Sequence, residues 1–290
     1  MNQLYQDKQI IKYDSVITGI PNTKESIRLA FSYATATNPE PFFNNKNIVE
    51  MANAAGFQTV WLASVPEKVM YATYSDMVAS SSNIFFDPLS HKDLRSQEDL
   101  DLPALLKSYY QPGNKQFIVL HLQGSHIPYN FHYDKQDKAL ITTPENTDYD
   151  RTIHHSDRLL AEVIAIIKQQ DEDSILLYFA DHGEIINKGH GFANGPLSQY
   201  KIPFISYQHN NTYDIQELVN RYRNKHGILN LINMTYIITE LLGYQVAQPV
   251  QEQARKDGEL VLKTDLKPYS FAKLQVQEAE SKAKASLATP

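Results

Sequence analysis

The sequence predicts an α/β protein with a central, mainly parallel sheet and helices on both faces of that sheet. Short apolar runs alternate along the chain with longer stretches in which apolar residues recur at helical spacing. This alternation is typical of folds in which helices cover the faces of a parallel sheet. The 290 residues are 42% apolar, which is enough for a sizeable core, and we find no internal repeat.

The first half of the chain predicts three helices and two strands. Residues 22–34 form the first helix, because Asn22 and Glu25 have the spacing of a capping pair. Gly56 ends the second helix, and the run FIVLHL reads as a central strand. In order, the predicted elements are the helix 22–34, the helix 47–55, the strand 57–63, the helix 102–110 and the strand 117–122.

The second half predicts a long amphipathic helix over residues 150–168, followed by a strand that begins at Ile175. Residues 204–207 predict another strand, and residues 227–242 predict a helix that ends at Gly243. Residues 129–148 are polar and contain proline, which indicates a surface excursion near the site and not a regular element.

The segment ILLYFADHGE, residues 175–184, is the most informative part of the sequence. An apolar run ends there in Asp181 and His182, followed by Gly183. Carboxylate and imidazole are ligands that suit zinc, and ligands of open α/β sheets lie beyond the carboxyl ends of the strands. The pattern therefore predicts a zinc site at this edge, although an aspartate that caps a turn is the alternative interpretation.

Thr23 is the candidate nucleophile. It lies at the predicted start of a helix, where free backbone N–H groups and the helix dipole favour an anion such as a phosphoryl group. A metal bound to its hydroxyl group would lower the pKa of that group. The alternative is that Thr23 only caps the helix beside Asn22.

Two histidines in loops are further candidates for the site. His126 lies beyond the end of a predicted strand, and His190 is flanked by glycines that let the backbone approach a ligand closely. His121 is a weaker candidate, because it can simply fill the sheet.

Composition excludes several classes of function. The formal net charge of −6 has no basic stripe, which argues against a nucleic-acid partner. The absence of cysteine rules out disulfides, thiolate metal sites and a cysteine nucleophile. No apolar stretch is long enough for a transmembrane helix, and the N-terminus lacks the layout of a secretory signal.

The motifs, in this order, resemble the catalytic domain of the phosphoethanolamine transferases. This family is a branch of the alkaline phosphatase and sulfatase superfamily that also includes the lipoteichoic acid synthases. The resemblance covers about residues 13–244. It rests on the segments NTKESIRLAFS, GFQTVWLAS, HLQGSHIPY, YDRTIHHSDRLLAEVI, YFADHGE and GHG.

The resemblance implies a zinc-dependent transfer in two steps. Thr23 would bind zinc and accept phosphoethanolamine from phosphatidylethanolamine, and Asp181 and His182 would bind the same zinc. His126 and His190 would bind the phosphoryl group or a second zinc. The acceptor would be a lipid or glycan of the cell envelope, at the periplasmic face of the Gram-negative inner membrane. Membrane association would come from a segment that is not in this chain.

One expected metal ligand is missing from the sequence. In the family, a strand well before the threonine ends in a G-E-S-like stretch whose glutamate binds zinc. Only 22 residues precede Thr23, and the acids among them, Asp7 and Asp14, are not in such a setting. The sequence therefore predicts a sulfatase-like catalytic domain over residues 1–274, truncated at its N-terminal end relative to the family, and a disordered tail over 275–290.

Two alternative functions remain open from the sequence. The first is a hydrolase of the same superfamily, either a phosphodiesterase or a sulfatase, although the C/S-x-P-x-R motif of formylglycine sulfatases is absent. The second is a degenerate domain that binds an envelope component without catalysis. The missing carboxylate favours this second alternative, whereas the persistence of all five candidate residues opposes it.

Overall fold

The computed structural model describes residues 10–65, 73–88, 98–142, 147–170 and 173–287. The strands are β1 (Ile10–Lys12), β2 (Val16–Ile17), β3 (Gln58–Ala63), β4 (Ile84–Phe86), β5 (Gln116–His121), β6 (Ser174–Phe179), β7 (Phe204–His209), β8 (Leu229–Asn230), β9 (Leu260–Leu262) and β10 (Pro268–Ser270). The helices are α1 (Thr23–Ala30), α2 (Pro41–Asn44), α3 (Ile48–Ala54), α4 (Tyr74–Ala79), α5 (Leu102–Tyr109), α6 (Lys135–Leu140), α7 (Thr147–Lys168), α8 (Ile215–Arg221), α9 (Met234–Leu241), α10 (Gln248–Asp257) and α11 (Phe271–Leu287). Single 3₁₀ turns lie at Asp99–Asp101, Tyr129–Phe131, Leu197–Tyr200 and Leu231–Asn233.

The main strands form two half-sheets of three strands each. The first has the order β4-β3-β5, and its strands are all parallel. The second has the order β1-β7-β6, and its neighbours are antiparallel. The antiparallel pairing of β6 and β7 has a simple cause, because residues 180–203 between them contain no α-helix and so make no crossover.

Helix α7 covers one face of both half-sheets. Its Leu159 and Val163 pack in a buried cluster with Leu62 of β3, and its Leu160 and Ile164 pack with the strands of the second half-sheet. The opposite face of both half-sheets packs against the largest core cluster, which includes Trp61. The predicted α/β architecture with helices on both faces is therefore confirmed, and the two half-sheets lie in one layer.

The start of α1 confirms the predicted cap. The Asn22 side chain accepts a hydrogen bond from the Glu25 backbone N–H at 3.0 Å. The predicted helix over 227–242 is only partly confirmed, because Leu229 and Asn230 pair as a strand with β2 and the helix begins at Met234. These two residues are fully buried, so tertiary pairing overrides the helical spacing of the apolar residues.

Two further segments differ from the prediction. Within 129–148, Asp134 caps the short helix α6 through a capping box with Asp137. The tail predicted to be disordered is helical as far as Leu287, the last described residue. Alanine, lysine and glutamate favour helix, and the Leu197 backbone N–H anchors this helix by donating to Glu278 at 2.8 Å.

Across the described ranges, we find no helix that is both long and apolar enough to cross a membrane.

Candidate active site

The site begins with Thr23, the first residue of α1. Because Asn22 caps the helix, the hydroxyl group of Thr23 is not needed for capping. Its Oγ1 atom lies 3.2 Å from Nε2 of His182, a residue that is 159 positions away in the sequence. The structure therefore brings the candidate nucleophile to the predicted metal motif.

Asp181 and His182 lie just beyond the carboxyl end of β6, and Gly183, the next residue, lies in a turn that packs against residues 198–201. The Gly183 backbone N–H donates to the Gln199 carbonyl at 2.9 Å. A Cβ atom on Gly183 would lie 2.2 Å from the Ser198 carbonyl oxygen and 2.5 Å from that of Lys201. No side chain fits there, so glycine is required for the turn to pack this closely against residues 198–201.

Ser26 connects α1 to the same turn. Its hydroxyl group donates to the backbone carbonyl of Asp181 at 2.5 Å, and it lies 2.9 Å from Thr18 Oγ1. Both Thr18 and Ser26 are buried, so the contact between these two hydroxyl groups is shielded from solvent. The contact joins the helix that carries Thr23 to the loop that carries the metal motif.

The nitrogen Nε2 of His182 lies between two oxygen atoms at distances that would suit ligands of one metal ion. His182 Nε2 lies 3.2 Å from Thr23 Oγ1 and 3.6 Å from Asp181 Oδ2. Tetrahedral zinc with bonds of 2.0–2.2 Å separates its ligand atoms by about 3.3–3.6 Å. Among the described residues, Asp181 Oδ2 is buried without a hydrogen-bond partner, which is costly unless a cation binds it.

The three candidate histidines share one tautomer. Nδ1 lies 2.9 Å from the Gly183 carbonyl in His182 and 2.5 Å from the Ile127 carbonyl in His126. In His190 it lies 2.9 Å from Glu184 Oε2. These oxygens only accept hydrogen bonds, so each Nδ1 carries the proton. In the neutral rings, Nε2 is therefore the atom whose lone pair is available to a metal ion, and when Nε2 is protonated it can donate to a phosphoryl oxygen.

The rings also lie close together. The centroids of His182 and His190 are 3.9 Å apart, and those of His190 and His126 are 5.5 Å apart. Gly189 and Gly191, on either side of His190, both have positive φ, which most residues adopt only with strain. The five predicted site residues are thus gathered at one edge of the fold.

Glu184 is a site residue without a predicted role. His182, Glu184 and His190 offer ligand atoms within 4.8 Å of one another, which would permit a metal ion. However, both carboxylate oxygens of Glu184 already accept hydrogen bonds, from His190 and from the Tyr129 hydroxyl group at 3.1 Å. Glu184 therefore orients His190, as carboxylates that support metal-binding histidines do.

Tyr129 remains protonated beside this carboxylate. Burial, together with the nearby charge of Glu184, raises the pKa of Tyr129 to about 12. Its hydroxyl group also accepts a hydrogen bond from the Asn187 backbone at 3.1 Å. The sequence signal for this contact is weak, because 55 positions separate Tyr129 from Glu184.

Asp99 orders the loop that leads to His126. Its carboxylate is almost fully buried and accepts hydrogen bonds from the backbones of Gln123 and Gly124, both at 2.8 Å, and from Ser64 at 2.5 Å.

His121, the last residue of β5 and the weaker candidate, packs edge-on against Trp61 with the ring centroids 5.9 Å apart.

Asp14 lies away from the site. It is exposed before β2, and its charge acts on Arg223. Asp7 lies outside the described residues.

A second group of potential ligands, Asp134, Asp137 and His155, has a structural role. Asp137 is fully buried and accepts from His154 at 2.6 Å, His155 at 2.7 Å and Arg158 at 3.0 Å. Burial alone would raise the pKa of Asp137, but these bonds and the Asp134 backbone N–H hold it well below its usual range. The arginine already supplies the balancing cation, so this group joins α6 to α7.

Comparison with known proteins places the sequence in a protein family and identifies relatives. The sequence model of the sulfatase family matches residues 2–244. The Escherichia coli (strain K12) protein YhbX is 33% identical over 181 residues, which cover 61% of this chain and 32% of YhbX. Phosphoethanolamine transferase EptC of Escherichia coli O18:K1:H7 is 23% identical over 223 residues, which cover 69% of this chain and 38% of EptC. The chain thus spans about a third of the length of these relatives.

Solved structures show the same fold. The C-terminal periplasmic domain of EptC from Escherichia coli, in complex with Zn, superposes with a TM-score of 0.74 at 21% identity. That match covers 92% of this chain and 85% of the EptC domain. The corresponding domain of EptC from Campylobacter jejuni gives a TM-score of 0.66 at 22% identity, with 87% of this chain and 85% of that domain covered. Because the sulfatase family model matches residues 2–244, this chain belongs to the sulfatase family.

Proposed function

We propose that this domain transfers phosphoethanolamine from phosphatidylethanolamine to a lipid or glycan of the cell envelope, through a covalent adduct on Thr23 and with zinc as cofactor. The observation that carries the proposal is that His182 Nε2 lies 3.2 Å from Thr23 Oγ1 and 3.6 Å from Asp181 Oδ2, distances close to those between ligands of tetrahedral zinc. The names of its transferase relatives and the zinc complex of an EptC domain support the choice of group and metal.

Thr23, Asp181 and His182 would hold the zinc ion, which supplies positive charge to the reacting oxygens. In the first step, Thr23 Oγ1 forms a bond to phosphorus while the bond from phosphorus to the diacylglycerol oxygen breaks. The hydroxyl proton of Thr23 passes to the leaving diacylglycerol. In the second step an acceptor oxygen attacks phosphorus, and Thr23 recovers a proton as its bond to phosphorus breaks.

His126 and His190 would bind the phosphoryl oxygens. Both rings present Nε2 on the side away from their Nδ1 contacts, and protonated Nε2 atoms donate to anionic oxygens. The N-terminus of α1 adds partial positive charge next to Thr23. Charge stabilisation of this kind is the main requirement of phosphoryl transfer.

The proposed location is the periplasmic face of the inner membrane, where the donor lipid is within reach. The periplasmic EptC domains that share this fold support the location. Association with the membrane through a segment outside the given sequence is part of this proposal.

The proposal predicts near-stoichiometric zinc in the purified protein and a phosphoethanolamine adduct on Thr23 after incubation with a fluorescent phosphatidylethanolamine analogue. Metal analysis and peptide mass spectrometry measure the two quantities. Asp181→Asn should lose most of the zinc, and Thr23→Ala should lose the adduct. Thr37→Ala, at an exposed threonine after α1, is the matched control and should keep both. A parent protein without zinc, or an adduct that persists in Thr23→Ala, would overturn the proposal.

A further inference from the structure

A β-hairpin next to the site carries an exposed leucine at its tip. Strands β9 and β10 pair antiparallel and are joined by the five residues 263–267, among which Leu266 is 55% exposed. Leu266 has a φ of +56°, in the left-handed region, where leucine is strained and glycine or asparagine is not. The hairpin therefore holds a large apolar side chain in solvent at a position that favours a smaller residue.

The conformation of this tip is fixed by contacts within the hairpin. The Asp265 carboxylate accepts hydrogen bonds from the Lys267 backbone N–H at 3.0 Å and from the Tyr269 hydroxyl group at 2.9 Å. The Leu266 backbone N–H donates to the Lys263 carbonyl at 2.9 Å, and the Lys263 ammonium group lies 4.8 Å from the centre of the Tyr269 ring. Because the turn is already ordered, a contact at its tip costs little conformational entropy.

One 3₁₀ turn connects this hairpin to a second exposed apolar residue. In the turn Leu197–Tyr200, the Tyr200 hydroxyl group donates to the carbonyl of Leu262, the last residue of β9, at 3.0 Å. The Gln199 side chain makes two hydrogen bonds with the Phe192 backbone, at 2.8 and 3.0 Å. The Phe192 side chain is 48% exposed. The hairpin and the loop that carries Phe192 are therefore anchored to the same element.

Both segments adjoin the site. The Leu262 backbone N–H donates to the carbonyl of Gly19 at 2.7 Å, and Gly19 lies four residues before Thr23. Phe192 follows His190 by two residues. A surface that contacts the hairpin tip and the Phe192 loop would therefore lie next to the site.

Lysines dominate the charge of these segments, although the whole chain has a formal net charge of −6. Within residues 188–201 and 262–270, the lysines are Lys188, Lys201, Lys263 and Lys267, and the one acid is Asp265. Glu278 of α11, which contacts this turn, is paired with Lys282 at 3.0 Å. The local charge balance is therefore positive, which favours an anionic partner.

We infer that the hairpin tip and the Phe192 loop form a contact surface for an anionic phospholipid bilayer, in which Leu266 and Phe192 enter the headgroup region. Binding to such an interface grows with the apolar area that is buried and with the number of lysines near anionic lipids. Lysine stems can lie along apolar groups while their ammonium groups reach phosphate. The contact would hold the site against the layer that contains the proposed donor, so its use rests on the proposed function.

The alternative occupant of this surface is another protein. Lysine is depleted at protein–protein interfaces, whose cores are contiguous and closely packed. Here two separate loops each present one large apolar side chain, and both loops carry lysine. A lipid layer suits this surface better, because it accommodates separate side chains without a complementary shape.

The test measures binding of the full chain to vesicles of phosphatidylcholine with phosphatidylglycerol, and to vesicles of phosphatidylcholine alone. Cosedimentation gives the partition coefficient for each kind of vesicle. We expect stronger binding when phosphatidylglycerol is present, and a loss of this difference as salt is added. Neither kind of vesicle contains the proposed donor, so the membrane contact and the transfer reaction can fail separately.

Three variants separate the contributions to binding. Leu266→Asn removes the apolar side chain from a backbone conformation that asparagine tolerates, so it should keep its melting temperature and bind about tenfold more weakly. Val250→Asn, at a 43% exposed residue of α10, is the matched control and should bind as the parent protein does. The double variant Lys263→Gln and Lys267→Gln should lose at least about tenfold in binding to vesicles with phosphatidylglycerol.

Insertion is measured with an environment-sensitive fluorophore on single cysteines, which is simple because the chain contains no cysteine. The emission of a label on Leu266→Cys should shift to the blue when vesicles with phosphatidylglycerol are added. The emission of the same label on Val250→Cys should not shift.

Absence of binding to vesicles with phosphatidylglycerol would overturn the inference. Equal binding of Leu266→Asn and the parent protein, or equal shifts at the two labelled positions, would also overturn it. Self-association of the chain that Leu266→Asn abolishes, without binding to vesicles, would assign the hairpin tip to a protein contact and reject the lipid surface.

Discussion

Gly183→Ala is the substitution that most directly tests the architecture of the site. The added Cβ would lie 2.2 Å from the Ser198 carbonyl oxygen, whereas a close carbon–oxygen contact is about 3.3 Å. The turn must therefore move by about 1 Å, away from the backbone that now accepts the Gly183 N–H. His182, the preceding residue, would move with the turn.

The expected loss of stability in Gly183→Ala is the sum of two contributions. Overpacking in a fixed environment costs about 1–3 kcal/mol, and loss of the hydrogen bond from Gly183 to Gln199 costs about 1 kcal/mol more. We therefore expect the melting temperature to fall by roughly 5–10 °C. Because Asp181 and His182 are displaced from Thr23, zinc affinity should fall by about tenfold to a hundredfold.

Thermal denaturation and zinc titration calorimetry measure the two effects. Gly243→Ala is the control, because Gly243 has a φ of +94° and no heavy atom within 4 Å of its added Cβ. This control should lose about 1 kcal/mol of stability through backbone strain and keep its zinc affinity. If Gly183→Ala binds zinc as tightly as the parent protein, the turn does not position the ligands and our reasoning about the site is wrong.

Two further predictions concern the carboxylates. Glutamine at position 184 has one carbonyl oxygen, so Glu184→Gln cannot accept hydrogen bonds from both Tyr129 and His190 through two oxygens. We expect the rate at which Thr23 is labelled to fall by about tenfold while the zinc content is retained. A loss of zinc equal to the loss of labelling would show that Glu184 is a metal ligand. Asp137→Asn should lower the free energy of unfolding by about 3 kcal/mol at pH 7, because it removes a buried charge partner of Arg158. Because the pKa of Asp137 is depressed in the folded state, its contribution to the free energy of unfolding is present above about pH 4 and is lost as the pH falls through the folded-state pKa. Urea denaturation at pH 7, 4 and 3 measures this loss. The free energy of unfolding should fall less with decreasing pH in the variant than in the parent protein.

The chemistry of the site could be predicted from sequence because local motifs carry it. Asp181 and His182 are adjacent, and Thr23 follows a recognisable helix cap, so residue type and position within an element indicated candidates, and the family resemblance implied their roles. The geometry confirms that these side chains meet. Their assignment as zinc ligands and nucleophile stays a prediction until it is measured.

Features that depend on distant pairing could not be predicted in the same way. Glu184 has its role because Tyr129 and His190 contact it, and a lone glutamate after a glycine carries no sign of those partners. That β5 and β6 belong to different sheets could likewise not be predicted, since each strand alone is an ordinary apolar run in the sequence. The division at residue 274 stays a prediction, although the chain continues as an ordered helix beyond it.

The hydrogen bond from Ser26 to the Asp181 carbonyl has a consequence for motion within the site. Thr23 precedes the strands of the first half-sheet in the chain and Asp181 follows β6 of the second, so fluctuations of the two half-sheets would otherwise change the separation of Thr23 and Asp181. This bond, three residues from Thr23, makes the Thr23 hydroxyl group and the loop that carries Asp181 move together. Thermal displacement of either half-sheet is then shared by Thr23 and Asp181, and the distance between them is preserved.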